Sequence, residues 1–423
     1  MGLKHTLIDV TPLRSSPPFR RLWVGQTLSG FGSQLTLVAV MFQVWQLTRS
    51  PVWTGAVGLA QAVPLVALGL FAGSLVDRVD RRRFYLVTIG GQAGCSLLLA
   101  LQGFLGHAPA VAVLGLVALQ SCFGAGSGPA SRTFLPHLLP ERQLAAGLAL
   151  RRIAFQGAML LGPALSGLLV GGLGVGACYL IDALTFLAAL HAAYGLPQPA
   201  PVDEPAQAAR PGLRGVLDGL AFLTRTPVIR GALLTDLATT LLSMPVSLFP
   251  SINAERFGGS PRTLGLFLTA IAVGGVAASL FSGTFTRLPR TGLAMIGGSA
   301  TWGAALALFG FARNPWAGLA CLAVAGAADT VSVVSRSTVV QLHTPRELLG
   351  RVSAAEQIVG QAGPDLGNLR GGLVASATSG TTALVSGGLL CLGAVAVVAA
   401  TTAGLRSPAT TPMLSRPAAQ STP

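Results

Sequence analysis

Long apolar runs broken by short polar, arginine-bearing segments recur along the whole chain. A hydrocarbon core about 30 Å thick takes about 20 apolar residues to cross as a helix. Runs of that kind lie near residues 19–48, 53–76, 84–106, 109–131, 148–171 and 174–196, and again near 228–252, 262–286, 291–312, 315–337, 351–376 and 380–404. The pattern predicts an all-α membrane protein with twelve transmembrane helices in two six-helix bundles. Residues 1–18 then form an N-terminal tail, 19–196 the first bundle, 197–227 a linker, 228–404 the second bundle and 405–423 a C-terminal tail. Prolines and charges between 197 and 212 forbid a span there. Leu213, Val216, Leu217, Leu220 and Phe222, set among Arg214 and Asp218, predict a short amphipathic helix on the membrane surface.

Composition sharpens this picture. Hydrophobic residues make up 51% of the 423 and charged residues 10%, against about 25% charged in a soluble chain. The formal net charge of +14 would suggest nucleic-acid binding in a soluble protein. Here its placement matters more, because basic residues stay on the cytoplasmic side of a membrane. With both termini cytoplasmic, only Arg49, Arg256, Arg262 and Arg313 fall outside and Arg370 falls within a span, which leaves the other 23 of the 28 basic residues inside. The expectation is a multi-pass protein of the cytoplasmic (inner) membrane, a monomer, with no nucleic-acid partner.

Several chemistries are excluded. The single lysine, Lys4, lies in the N-terminal tail, so the body of the chain holds neither a phosphate-binding G-K-[ST] loop nor a Schiff-base lysine. Cys95, Cys122, Cys178, Cys321 and Cys391 all sit in apolar stretches without a CxxC pair, which predicts no disulfide framework and no zinc site. The histidines are scattered, and neither G-x-S-x-G nor HExxH occurs. No metal, cofactor or enzymatic activity is expected. The polar first 18 residues lack the apolar region of a cleavable signal peptide.

The two sixes echo each other. Gly162-Pro163-Ala164-Leu165-Ser166-Gly167 in the fifth helix answers Gly363-Pro364-Asp365-Leu366-Gly367 in the eleventh. Arg78 and Arg81 after the second helix answer Arg287 and Arg290 after the eighth. Parallel six-helix repeats around a central cavity are a transporter architecture.

Between the second and third helices runs Gly73-Ser74-Leu75-Val76-Asp77-Arg78-Val79-Asp80-Arg81-Arg82-Arg83. It resembles the G-x-L-x-D-R-x-x-R-R signature of the major facilitator superfamily, in the loop where that family carries it. The resemblance implies a cytoplasmic latch of Gly73, Asp77, Arg78, Arg81, Arg82 and Arg351. In it Asp77 accepts from Arg81 and faces the start of the eleventh helix at Gly350-Arg351-Val352, closing the cytoplasmic side until the halves rock. Asp80 stands where the family has glycine. Gly162, Pro163 and Gly167 resemble the G-P-x-x-G-G motif of the export branch, with Ser166 in place of one glycine and Gln120 where exporters carry arginine in the fourth helix. Asp236, Met244-Pro245, Phe249-Pro250, Arg256-Phe257-Gly258-Gly259, Ala328-Asp329 and Arg336 look like the enterobactin-exporter group of siderophore and drug efflux proteins, over most of 228–376. That group's pattern has an acid at the position of Asn368.

Ionisable groups at bilayer depth mark sites by default. They are Asp182, Asp236, Asp329, Glu356, Asp365 and Arg370. Asp329 and Arg336 share a stripe about 10 Å apart along one helix. Two readings stand. In one, Asp329 or Asp365, with Asp236, Glu356 and Arg370 nearby, exchanges protons against cargo. In the other, Asp365 or Asp329 forms a structural ion pair with Arg370, beside carbonyls freed by a break at Gly363-Pro364. Asp182 reads as structural. In the family the first, fourth, seventh and tenth helices line the pore, which makes Gln26, Ser33, Gln34, Gln120, Ser121 and Ser332 cavity candidates for a bulky, mostly apolar cargo. The sequence thus points to a secondary active transporter, a proton-coupled exporter of a siderophore or another hydrophobic metabolite or drug. An importer of a small solute and a transport-inactive membrane sensor are the alternatives.

Overall fold

The computed structural model describes residues 9–78, 80–106, 108–196, 221–281, 290–345 and 348–407; for 69–78, 81, 129, 132, 133, 349, 350, 353–355, 357, 358 and 361 it describes the backbone alone. The first helices are α1 (Pro17–Thr48), α2 (Pro51–Arg78), α3 (Arg81–Leu105), α4 (Ala110–Leu138), α5 (Glu141–Leu173) and α6 (Val175–Tyr194). After them come α7a (Pro227–Ser243), α7b (Phe249–Arg256), α8 (Pro261–Leu280), α9 (Thr291–Phe311), α10 (Pro315–His343), α11 (Leu349–Ala377) and α12 (Gly380–Thr401). Among the described residues there is no strand. Counting α7a and α7b as one, eleven of these are long and apolar enough to cross a membrane. The other is α11, whose 29 residues include Glu356, Asp365 and Arg370.

The local chemistry of the helix ends explains why the helices start where they do. Proline opens α1, α2, α7a, α8 and α10, where its missing N–H has no intrahelical partner to lose. Ser16, Asp80, Ser260, Asn314 and Ser379 each accept a backbone N–H of the first turn, the usual way to satisfy those donors. Asp80, the departure from the family signature, is thus the cap of α3. The α4, α5 and α10 helices run up to seven residues past their apolar spans, as far as Leu138, back to Glu141 and on to His343. Hydropathy marks only the length inside hydrocarbon, whereas backbone hydrogen bonding continues into the polar ends.

The proline effects fall differently from expectation. Pro364 and Pro163 stay inside unbroken helices. The break is in the seventh helix, where Met244 is extended (φ −65°, ψ 121°) ahead of Pro245. A residue before proline is pushed out of the α region, and a short 3₁₀ turn, Val246–Leu248, bridges to α7b.

Apolar side chains both fill the core and coat the outside. Phe249, Phe257, Phe267 and Phe309 pack edge-to-face and stacked in the second half. Leu98, Leu101, Leu168, Leu280 and Phe311 are exposed, and apolar exposure on this scale belongs to a surface that meets lipid. Residues 197–220, which hold most of the expected linker helix, and Arg287 lie outside the described residues. Residues 221–225 are helical, and Leu223 is buried against Ile229, Leu233, Val340 and Val352 at the foot of the second half.

The two sets of six helices meet chiefly through two helix pairs, α2 with α11 and α5 with α8. Glycines admit the contact. A Cβ on Gly265 would lie 2.3 Å from the Pro163 carbonyl oxygen, and one on Gly167 would lie 2.6 Å from that of Pro261. Gly55 and Gly372 are equally tight against Asn368 and Pro51. All these positions lie toward the end that carries Arg49 and Arg313, here the arginine-poor end.

Candidate functional site

In the second half, α7a, α10 and α11 bring three charges together. Arg336 Nη1 donates to Asp236 Oδ2 at 2.6 Å, and its Nε lies 3.8 Å from Glu356 Oε1. Asp236 and Arg336 are each 8% exposed. The first contact is a charge-assisted hydrogen bond; the second is an ion pair only, since Arg336 Nε and Glu356 Oε1 are buried without a hydrogen bond among the described residues. Asp329, two turns away on α10, sits in the field of both Asp236 and Arg336. The sequence identified Asp236, Asp329 and Glu356 as candidates but counted Arg336 among the cytoplasmic arginines, and it missed the pairing because the partners come from helices about 100 and 20 residues apart.

The expected ion pair of Arg370 with Asp365 or Asp329 is not formed. Arg370 donates instead to the Leu242 carbonyl at 2.5 Å. That carbonyl belongs to the last turn of α7a, whose acceptors lose their partners where the helix stops. Freed carbonyls do occur, on the helix beside the one expected. Asp365 lies across the seam between the halves, 2.9 Å from where a Cβ of Gly58 would stand.

Asn368 holds the same break together. Its Oδ1 accepts from the Ser247 N–H at 3.0 Å and its backbone carbonyl from Ser247 Oγ at 2.7 Å. Thr54 of α2 donates to the Ser247 carbonyl at 2.8 Å, so the bracket spans both halves. A neutral amide suffices for this task, which gives a physical reason for Asn at the position where the resemblance predicts an acid. Asn368→Ala orphans a buried backbone donor and is expected to destabilise by about 1–3 kcal/mol. Asn368→Asp keeps the acceptor, and thermal unfolding of the purified variants in detergent compares the two.

In the first half, the expected structural role of Asp182 takes a definite geometry. Its Oδ2 accepts from Thr36 Oγ1 at 2.8 Å, Ser96 Oγ at 2.7 Å and Gln120 Nε2 at 3.3 Å. Asp182 is fully buried, and these bonds tie α1, α3, α4 and α6 together. Gln120, expected in the cavity wall, is turned to this cluster. Ser332, another such candidate, shares a 2.7 Å hydrogen bond with Ser299, and Gln34 packs its Cβ against Gly162. The export-motif face of α5 therefore serves two neighbours: Gly162 meets α1, while Pro163 and Gly167 meet α8.

A cavity of about 420 Å³ opens in the first half between α1, α3, α4, α5 and α6. Gln26 and Ser33 line it, whereas Gln34, Gln120, Ser121 and Ser332 do not. Its other walls include Trp23, Tyr85, Arg151 and Phe155. The sequence reading missed Tyr85, Arg151 and Phe155 because it took pore-lining helices from the family pattern, while this wall also draws on α3 and α5. The signal available was Arg151, an arginine ten residues into α5.

Of the latch, the side chains of Gly73, Asp77, Arg78 and Arg81 lie outside the described residues. Arg82 donates to the Tyr194 carbonyl at the end of α6, and Arg351 is exposed in the first turn of α11. Among the described residues no group of three or more His, Cys, Asp or Glu could hold a metal ion.

These observations define a helical membrane transporter built of two facing bundles, with charges buried in one and a cavity in the other. Residues 9–416 match the family described as Transmembrane secretion effector. The chain belongs to that family and is a membrane transporter of the major facilitator superfamily, of the efflux kind, not an enzyme. Enterobactin exporter EntS of Shigella boydii serotype 18 is 28% identical over 397 residues, covering 93% of this chain and 94% of that protein. Its counterpart from Escherichia coli O1:K1 is 28% identical over 399 residues, with 93% and 94% covered. Among solved structures, a D323A mutant of the nucleoside transporter NupG superposes with a TM-score of 0.75 at 16% identity, covering 92% of this chain and all of that one. A bacterial homologue of the iron transporter ferroportin in an inward-facing state gives 0.68 at 14%, covering 92% and 99%.

Proposed function

We propose that the protein exports a siderophore or another hydrophobic metabolite or drug across the cytoplasmic membrane by alternating access, driven by protons. The observation that carries the reading is the buried Asp236–Arg336–Glu356 cluster with Asp329 beside it, because charges at bilayer depth are retained where they do work. Protonation of one of these carboxylates changes which partner Arg336 holds, and α7a, α10 and α11 shift together in response. Asp365, in the seam opposite Gly58, is a second proton site for the same cycle. The bundles 19–196 and 228–404 rock about the glycine contacts at the arginine-poor end, and the Asp77 latch with Arg351 closes the other end. Both termini lie in the cytoplasm, where the arginines gather, and the unit is a monomer that needs no cofactor.

The test uses everted membrane vesicles with an acidic interior. Enterobactin added outside is expected to release protons through the native chain, and Asp329→Asn or Asp365→Asn is expected to abolish that release. Full proton release by both variants would sink the coupling assignment. Unchanged secretion and drug sensitivity in a deletion strain would sink export itself.

A further inference from the structure

Arg256-Phe257-Gly258-Gly259, one of the runs that resemble the exporter group, takes no part in the charge cluster, and its contacts lie at the arginine-poor end. Arg256 donates to the Gly310 carbonyl in the last turn of α9 and to Thr381 Oγ1 in the first turn of α12, which pins α7b to the second half. Beyond it the chain turns sharply. Gly258 and Gly259 are left-handed, with φ 79° and 69°, a conformation that glycine adopts at no steric cost. The Asn253 carbonyl accepts the N–H groups of Phe257 and Gly259 at 3.0 and 2.9 Å. Asn253 Nδ2 donates to the Ser260 carbonyl at 2.8 Å. The side-chain amide of Asn253 is thus fixed by the turn that it closes.

Opposite this turn stands the end of α1. Val38 is fully buried in the hydrophobic cluster of the second half, with Phe42 packed against the same cluster, so apolar packing closes this end. About one turn past Phe42, Trp45 lines a small cleft of about 70 Å³ with Asn253 of α7b, and every residue of its wall is described. Trp45 Nε1 and Asn253 Oδ1 are both buried, and neither has a hydrogen-bond partner among the described residues. Asn253 is 2% exposed. A donor from one half and an acceptor from the other therefore line one cleft without meeting. Asn253 cannot turn to Trp45 without giving up Ser260, and a buried polar group left unmatched costs free energy that water restores.

We infer that Trp45 and Asn253 form an outer gate pair whose unmatched polar groups bias the protein against this closed state. Parting the halves at the arginine-poor end brings water to the indole N–H and to the amide oxygen, and their hydration favours opening. Because Arg256 holds α7b on α9 and α12, withdrawal of α1 from α7b is the motion that relieves the pair. The apolar seat of Val38 and the glycine contacts of the seam pull the other way, and an alternating cycle needs two states close in free energy. The inference rests on the alternating-access reading of this fold, but the bias itself is measured without cargo.

The full chain in lipid nanodiscs carries Val38→Cys as reporter and meets a small, charged methanethiosulfonate. Labelling is followed by mass spectrometry on the peptide that bears residue 38. That side chain is sealed in the closed state, so slow labelling tracks the open population when opening and closing are fast. Trp45 is then replaced, by nonsense suppression, with benzothienylalanine, which keeps the shape of the indole and puts sulfur in place of the N–H. The isostere is expected to slow labelling by ~5-fold or more, the effect of matching one buried group on a two-state population. Unchanged labelling would overturn the inference, since the N–H would then be indifferent to the gate. Faster labelling would also overturn it, since the N–H would then hold the end shut. Absence of enterobactin efflux by a native chain in which the isostere slows labelling would overturn export and leave the gate pair standing.

Discussion

Asp236→Ala is expected to abolish transport and to destabilise the protein by about 3–5 kcal/mol, the range for removing one partner of a buried ion pair. Asp236 is 8% exposed and accepts the 2.6 Å bond from Arg336. Without it, the guanidinium keeps only Glu356 at 3.8 Å, too far for a hydrogen bond. A triple variant separates fold from function. Asp236→Leu with Arg336→Met and Glu356→Leu replaces the whole buried cluster by apolar groups of comparable size, which is often neutral for stability. The triple variant is expected to recover thermal stability in detergent yet to transport nothing in vesicles. Transport by the triple variant would show that the cluster is structural only.

The second large effect is expected at the seam between the halves. Gly265→Val places a branched side chain where even a Cβ would stand 2.3 Å from the Pro163 carbonyl oxygen. That oxygen is backbone inside α5 and cannot swing aside, so α5 and α8 must separate; overpacking of this kind costs about 1–3 kcal/mol. Because these helices belong to different halves, the strain opens the arginine-poor end. A cysteine introduced as Gln46→Cys, in the small cleft between α1 and α7b, reports it. A membrane-impermeant maleimide is expected to label that cysteine faster in the Gly265→Val background than in the native one, with transport lost. Equal labelling in both would show that the seam tolerates the side chain without opening.

Much of this molecule was legible in the chain. Apolar runs the length of a bilayer leave a helix no alternative, since backbone groups in hydrocarbon must be satisfied internally. The Gly73-to-Arg83 loop and the Gly162-Pro163 helix pointed to the family, and the membrane carboxylates were few enough to name. Less legible was the consequence of each proline. Pro163 and Pro364 stay inside continuous helices, while Pro245, with nothing in its local sequence to distinguish it, ends one. The difference lies in neighbours: Asn368 and Arg370 are in place to satisfy the groups that the break at Pro245 releases.

The sequence by itself determined the element type, the number of helices to within the polar α11, and the short roll of ionisable groups inside the membrane, because hydrophobic length and the cost of burying charge are properties of the residues. Only the tertiary structure decided who pairs with whom. It gave Arg336 to Asp236 and Glu356 rather than to Asp329 on its own stripe. It turned Gln120 away from the cavity to Asp182 and set Arg151 beside Trp23 and Phe155. Each of those contacts joins different helices. Helical periodicity fixes which face a residue occupies, but not which helix comes to lie against it.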